Sequence, residues 1–276
     1  MSKLLSANMS RLFKSKVFWL ITLVMLVLTS FAMIMSCSSN IRIGVESLFE
    51  DEYFSTLPHF GLYISVFTTF FIGTEYSDFT IRNKLIVGRS RFEIFFANLI
   101  TCVVAAGIFF VVWAVSGCVG IAYFGIENIA FGVCLSKLAV GLFTAISVTA
   151  ILSVLAQLIS SKSIGAIAAV FTAFALLLAG SFFYNSLTEP PTTYSYVMIS
   201  AENGVEFGDE VPNPAYVGGA MRTVYEIMLR VVPMGQQILL ADEPLEQPAV
   251  MIAISVAVTI IVSVIGYLLF RKKDLR

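Results

Sequence analysis

The chain is dominated by long apolar stretches separated by short polar segments. Six of these stretches are long enough to cross a hydrocarbon layer of about 30 Å, which takes roughly 20 residues of helix. The second stretch is the shortest, and the third is long enough to tilt or to begin outside the hydrocarbon. The pattern predicts six transmembrane helices, at residues 17–36, 56–73, 95–124, 135–159, 164–184 and 248–270.

The composition supports this pattern and excludes other classes of protein. Apolar residues make up 58% of the 276 residues and charged residues 13%, and the mean hydropathy is +0.90. An ordinary soluble enzyme carries about 25% charged residues, and a disordered chain is far less apolar. We therefore expect an all-α integral membrane protein whose residues 1–276 form a single transmembrane domain.

The charged residues are segregated along the chain. Most of the 17 Lys and Arg lie before the first span, between the second and third, between the fourth and fifth, and after the sixth. Most of the 18 Asp and Glu lie in the other connections. Cytoplasmic segments are enriched in Lys and Arg, so we expect a multi-pass protein of the cell membrane with both termini in the cytoplasm.

The N-terminal segment is amphipathic. At helical spacing, residues 1–16 place apolar side chains on one face and Lys3, Arg11 and Lys14 elsewhere, as in a helix that lies in the membrane interface. The apolar face comprises Leu4, Leu5, Met9, Leu12 and Phe13. The apolar run that follows is longer than the core of a secretory signal peptide, so we interpret it as an uncleaved first span.

The chemistry needed for catalysis or gradient-driven transport is missing from the sequence. The predicted spans hold essentially no ionisable residues, whereas coupling to an ion gradient requires titratable or ion-coordinating groups near mid-membrane. There is no phosphate-binding loop, no hydrolase or metalloprotease motif and no metal-ligand spacing. His59 fits an interfacial anchor better than a ligand, and no basic face suits nucleic acid. We expect a non-enzymatic chain without a metal or cofactor of its own.

The connection between the second and third spans, residues 74–93, has the most specific local pattern. Residues from Glu75 to Val87 can form a short helix, and Gly88 suits the left-handed position that ends one. Ser90 and Glu93 form a capping box that opens the next helix. Two interpretations are open: a charged loop that only sets the topology, or a docking helix for a cytosolic partner.

Three segments of this connection resemble the permease subunits of type-2 ABC exporters: Thr74-Glu75, Thr80-Ile81-Arg82-Asn83-Lys84-Leu85 and Gly88-Arg89-Ser90-Arg91. The resemblance extends over the whole chain, and the N-terminal helix is similar to the connecting helix of those permeases. It implies that the loop is a coupling helix docking on a separate ATPase, which would bind the ATP and Mg. By resemblance, the coupling residues are Glu75, Tyr76, Phe79, Thr80, Arg82, Asn83 and Arg91.

Residues 185–247 form a predicted acidic extracytoplasmic insertion before the last span. Asn203-Gly204 favours a tight hairpin turn, and Asn213 with Pro214 favours a helix start. We predict a helix from Pro214 to Val232 whose apolar face lies against the membrane or the permease. That face comprises Val217, Met221, Val224 and Met228, and Arg222, Glu226 and Arg230 form a charged ladder on the other side. The resemblance implies an exit-lining element; the alternative is a helix that only packs against the spans.

Small residues in the fifth span indicate a close helix contact. In lipid, helices approach closely where small side chains permit it. Gly165, Ala169 and Ala173 form such a ridge, for dimerisation or for packing between helices. The resemblance implies a second permease chain, identical or paralogous.

The combined pattern indicates a permease subunit that moves a hydrophobic or amphipathic cargo outward, such as a peptide, lipid or drug, using a partner's ATP hydrolysis. The alternative from another class is a non-transporting membrane sensor or immunity protein that binds a ligand through its external segment.

Overall fold

A computed structural model describes residues 1–43, 48–125, 129–200, 204–242, 245 and 247–274. Within these ranges lie six stretches of helix that are long and apolar enough to cross a membrane, as predicted. The protein is an all-α integral membrane protein, and 84% of the structure is helical. The spans are Lys16–Asn40, Phe49–Ser77, Arg91–Phe124, Phe131–Leu158, Lys162–Thr188 and Pro248–Lys272.

The helices are numbered along the chain. They are α1 Ser2–Lys14, α2 Lys16–Ile43, α3 Phe49–Ser55, α4 Phe60–Ser77, α5 Thr80–Ile86, α6 Arg91–Gly117, α7 Ile121–Phe124, α8 Phe131–Leu158, α9 Lys162–Thr188, α10 Gly219–Val231, α11 Pro233–Asp242 and α12 Pro248–Lys272. Short 3₁₀ turns at Leu57–His59 and Cys118–Gly120 join α3 to α4 and α6 to α7.

The second span is longer than its predicted bounds of 56–73, because α3 and the 3₁₀ turn lead directly into α4. Three consecutive acids in α3, residues 50–52, lower the hydropathy of this stretch and hide it from a sequence pattern. The structure pairs two of them: Glu52 accepts hydrogen bonds from Ser36 and Asn40, and Glu50 accepts one from the Ala130 amide at 2.7 Å. With its acids satisfied, α3 packs its aromatic side chains into the protein.

The core of the bundle lies around α4, α6 and α8. Phe18 of α2 stacks on Phe109 of α6 with the ring centroids 5.2 Å apart, and Phe67 of α4 meets Phe109 edge-on at 5.4 Å. The indole of Trp113 donates a hydrogen bond to the Thr56 hydroxyl at 2.9 Å, so this buried polar atom is satisfied. By contrast, α2, α9 and α12 each leave large apolar side chains exposed.

The predicted ridge of Gly165, Ala169 and Ala173 is buried, and it packs within the chain, where α9 lies against α4. A Cβ atom at Gly165 would lie 3.5 Å from the Thr69 methyl group, an ordinary contact distance. The opposite face of α9 carries exposed large residues such as Phe171, which is 75% exposed. The small residues therefore fix α9 on α4 and leave a bulky apolar face outward.

The segment between α9 and α12 begins with two antiparallel strand pairs. Strand β1, Thr192–Tyr194, pairs with β4, Glu210–Pro212, and β2, Val197–Ser200, pairs with β3, Gly204–Phe207. The β2–β3 register confirms the predicted hairpin, although Asn203 of its predicted turn lies outside the described residues. The pairs are nested along the chain, so together they form one extended hairpin.

The predicted helix at 214–232 begins later than the sequence indicated: α10 starts at Gly219. Asn213 does not cap it. Its side-chain Oδ1 accepts a hydrogen bond from the Ala215 amide at 2.9 Å, and its Nδ2 donates to the Glu189 carboxylate at 2.9 Å. Asn213 therefore ends the strand segment instead of capping the helix. The helix starts within a glycine pair: Gly218 is its N-cap, and its first residue, Gly219, has a φ of +60°.

The predicted apolar face of this helix, expected to lie against the membrane or the permease, is not buried within the chain. The buried residue of α10 is Leu229, and Arg222 and Tyr225 on the same side are half-buried. Val217 precedes the helix, and the rest of the predicted apolar face is exposed from the chain. Its exposed members are Met221, Val224 and Met228.

Glycine at position 180 permits the closest backbone approach between α9 and α11, because a Cβ there would lie 2.8 Å from the Gly235 amide nitrogen. We expect Gly180→Ala to lower the free energy of unfolding by about 1–3 kcal/mol, since the backbone must shift. Gly107→Ala in α6 is the matched control, because its Cβ would meet nothing within 4 Å. Thermal denaturation in detergent measures both; equal midpoints would contradict the prediction.

Candidate functional site

The predicted helix from Glu75 to Val87 is two helices in the structure. Helix α4 continues to Ser77, the chain turns at Asp78 and Phe79, and α5 begins at Thr80. Phe79 has a φ of +55°, a left-handed conformation that costs a non-glycine residue about 1–2 kcal/mol. Phe79 is also 64% exposed. Strained backbone at an exposed aromatic residue is typical of a functional position.

The end of α5 and the start of α6 follow the predicted local chemistry. Gly88 is left-handed, with a φ of +84°. The amides of Gly88 and Arg89 donate back to the carbonyls of Leu85 and Lys84 at 2.9 and 3.0 Å, the pair of bonds that closes a glycine-terminated helix. Ser90 then opens α6 with a complete capping box to Glu93. These two devices hold α5 as a short separate helix.

One face of α5 is exposed, and we call it the α5 face. Its members recur at helical spacing and combine three apolar side chains with an arginine and an asparagine. Ile86 and Val87 are 73% and 78% exposed. Apolar side chains that are exposed together on one face mark an interaction surface. The α5 face comprises Phe79, Arg82, Asn83, Ile86 and Val87.

A buried ion cluster lies beneath α5, and its centre is Glu75 at the end of α4. The Glu75 carboxylate is 1% exposed and forms ion pairs with Arg11 of α1 and Lys84 of α5. It also accepts a hydrogen bond at 2.8 Å from the Asn98 amide of α6. Asn98 in turn accepts from the Asn8 amide of α1 at 2.8 Å. One carboxylate therefore links four helices.

The arginine of this cluster is held from two sides. Besides its ion pair with Glu75, the Arg11 guanidinium lies 3.9 Å from the centroid of the Phe71 ring. Lys84 is more enclosed, and burial lowers its pKa, although the facing Glu75 carboxylate opposes that shift. The cluster is thus an internal electrostatic contact between α1, α4 and α5, shielded from water on the Glu75 side.

The Glu75 carboxylate is inaccessible, so this predicted coupling residue lies beneath the α5 face and not on it. Tyr76 and Arg91 also point inward: the Tyr76 hydroxyl donates to the Gln157 carbonyl, and Arg91 donates to carbonyls at the end of α12. Thr80 is half-buried in the first turn of α5. Of the predicted coupling residues, those with exposed side chains are Phe79, Arg82 and Asn83.

The last residues of α12 are attached to the same end of the bundle. The Lys273 ammonium donates to the Tyr76 hydroxyl at 2.8 Å and to the Gln157 carbonyl at 3.0 Å. Burial lowers the pKa of Lys273 to about 8. Together with Arg91, this residue ties α12 to α4, α6 and α8 beside the ion cluster.

Sequence reasoning missed the cluster partners Asn8, Arg11 and Asn98. A signal was present, because Asn8 interrupts the Leu4 and Leu12 stripe of α1 at helical spacing, and Asn98 is an amide within an apolar run. Buried amides need hydrogen-bond partners. Which partners they find depends on contacts about 90 residues apart, beyond the reach of a local pattern.

Among the described residues, no group of three or more His, Cys, Asp or Glu side chains could hold a metal ion. The structure places the other predicted residues apart from the α5 face: Gly165, Ala169 and Ala173 lie between α9 and α4. Met221, Val224 and Met228 lie on α10, in the segment between α9 and α12.

Comparison with known protein families identifies the family to which the chain belongs. A family model described as ABC-2 family transporter protein matches residues 4–181. The match includes the ion cluster, the α5 face, the first four spans and most of the fifth, so the chain belongs to the ABC-2 family of transporter membrane proteins. It is a membrane component of a transporter, and the family implies association with an ABC ATPase. A search of curated proteins finds no match.

Removing the buried carboxylate should destabilise the α5 end of the bundle. In Glu75→Gln the two cations lose their counter-charge, and breaking a buried ion pair from one side costs about 3–5 kcal/mol. We expect a value near the lower end, because Arg11 is partly exposed. Asp78→Asn, an exposed acid three residues away, is the control. A thermal midpoint in detergent that falls equally in both variants would argue against the cluster.

Lys273 should make stability depend on pH. Its pKa is lowered from 10.5 to about 8, so between these values the unfolded chain binds more protons than the folded one. Stability should therefore rise as the pH rises from about 8 towards 10.5. Lys273→Met should flatten this rise, whereas Lys272→Met, at an exposed neighbour, should not. Denaturation midpoints at pH 7.5 and 9.5 compare the three proteins, and identical slopes would refute the assignment.

Proposed function

We propose that this chain is the permease subunit of an ATP-driven exporter, and that a separate ABC ATPase docks on the α5 face. The observation that carries the proposal is the exposed, apolar α5 face, presented by a helix that is fixed at both ends. A docking helix needs apolar anchors and a specifying charge. Ile86 and Val87 supply the former together with Phe79, and Arg82 supplies the latter. ATP and Mg would bind in the partner, and this chain would carry no cofactor.

The ion cluster provides a route from the docked partner into the membrane. A force on α5 acts on Lys84, whose ammonium is paired with Glu75 at the end of α4. From Glu75 the contacts divide towards α1 through Arg11 and towards α6 through Asn98. Because buried packing is bistable and not continuously deformable, a small displacement of α5 can select a different arrangement of these helices.

The interior of the bundle supports an uncharged cargo path. Apart from the Lys137 ammonium of α8, the described buried polar side chains of α8, α11 and α12 are hydroxyls and amides. Gln237 donates to Thr144 at 3.3 Å, and Ser255 donates to Gln236 at 3.0 Å. Such groups suit a hydrophobic or amphipathic cargo such as a peptide, a lipid or a drug. We propose that both termini lie in the cytoplasm of a cell-membrane protein, because the α5 end collects most Lys and Arg. The resemblance to exporters supports outward movement of the cargo.

A second permease chain, identical or paralogous, belongs to this proposal. The exposed bulky faces of α2, α9 and α12 leave ample apolar surface for a partner as well as for lipid. A non-transporting sensor is the weaker alternative, because it would leave the α5 face without a partner.

The test is co-purification with a candidate ABC ATPase of the same organism. Phe79→Ala should weaken ATPase binding roughly thirtyfold, the loss of about 2 kcal/mol typical of an aromatic anchor. Arg82→Glu should also weaken binding and abolish stimulation of ATP hydrolysis, because it reverses the charge of the face. Both side chains are exposed, so folding should be unaffected.

Lys3→Glu is the matched control, since Lys3 is an exposed cation of α1 away from the α5 face. It should leave ATPase binding and stimulation unchanged. Normal binding by Phe79→Ala and Arg82→Glu, or equal loss in Lys3→Glu, would contradict docking on the α5 face.

A further inference from the structure

A cavity of about 390 Å³ lies among α9, α10, α11 and α12. Its lining includes Leu187 in the last turn of α9 and Met251 in the first turn of α12, so it lies where the fifth and sixth spans meet the membrane boundary. This is the end of the bundle opposite α5. The volume falls within the range of about 300–1,000 Å³ that is usual for small-molecule sites.

The polar wall of the cavity is the inner face of α10. Arg222, Glu226 and Arg230 line it at intervals of one helical turn. Glu226 forms an ion pair with Arg222, whose Nε lies 3.4 Å from the carboxylate. The Nη2 of Arg222 also donates to the Leu187 carbonyl at 3.2 Å. The half-buried Arg230 guanidinium forms no hydrogen bond or ion pair with the described residues. The described wall therefore has a surplus positive charge.

The remaining wall is mainly apolar, with Leu229, Leu239 and Met251, and α9 adds the hydroxyl-bearing Tyr184 and Thr188. The outer face of α10 is apolar as well, with Met221 and Ile227 more than half exposed. A helix with an exposed apolar face and charged residues on the other lies in the membrane interface. That position sets Arg230 at the depth of the lipid headgroups.

We propose that this cavity binds the headgroup phosphate of an anionic phospholipid, with the Arg230 guanidinium as its principal partner. Arginine suits phosphate because its planar fork can donate two parallel hydrogen bonds. The apolar wall takes the glycerol backbone and the first carbons of the acyl chains, which a free anion lacks. The inference depends on neither the ATPase partner nor the cargo, because a lipid can occupy the site in the resting protein.

The test uses the full chain in nanodiscs of equal parts phosphatidylglycerol and phosphatidylcholine, followed by mass spectrometry of the lipids that remain bound after release. The wild-type protein should retain phosphatidylglycerol in preference. Arg230→Gln should reduce that retention roughly tenfold, the loss of a hydrogen bond to a charged group. Arg230→Lys should keep part of it. Arg42→Gln, at an exposed arginine near the end of α2, should behave as the wild type.

A photoactivatable phosphatidylglycerol provides a measurement that does not depend on any variant. In the wild-type protein, the cross-link should map to peptides of α9, α10 or α12. Cross-links confined to other helices, or equal retention of both lipids, would overturn the proposal.

Two competitors separate the sources of the anion. Inorganic phosphate at millimolar concentration should not displace the lipid, and displacement would mean a simple anion site. A peptide with a free terminal carboxylate should also fail to compete. Preferential binding of that peptide would replace the lipid assignment.

Discussion

The arrangement at the α5 end depends on one buried carboxylate. Burying a charge is tolerable only when opposite charges and hydrogen bonds surround it. Glu75 meets this condition by drawing Arg11, Lys84 and Asn98 together from three other helices. The same contacts place α5 under the bundle and hold α1 along it. Because Lys84 of α5 faces inward to Glu75, the opposite side of α5, with its apolar residues and Arg82, faces outward.

At the opposite end of the bundle, helix α10 also places charged side chains towards the protein. There α10 turns its charged ladder towards the protein and leaves its apolar residues outside. In water such a helix would be inverted, with the apolar face packed inward. The inversion is reasonable at a membrane surface, where lipid covers the apolar face and the enclosed arginines face a cavity. Each end thus turns some of its charged side chains towards the protein and leaves apolar side chains exposed.

Parts of the candidate site were predictable because they depend on neighbouring residues. The left-handed Gly88 and the Ser90 capping box follow from local hydrogen bonding, and the structure contains both. The role of Glu75 was not predictable, since its partner Arg11 lies 64 residues away. Phe79 was also missed as a helix break, because the turn there is imposed by the contacts of α4 and α5 and not by a glycine or proline.

By itself, the sequence determined that this is a six-span helical membrane protein whose third span opens with a capping box, because span length, hydropathy and capping are properties of contiguous residues. The tertiary structure alone decided which polar side chains face inward. It turned Glu75, Tyr76 and Arg91 into internal contacts, gave α3 a place in the bundle, and left the predicted apolar face of α10 exposed from the chain. The reason is physical: the free energy of a polar side chain depends on partners that folding brings from distant helices, and helical periodicity carries no information about them.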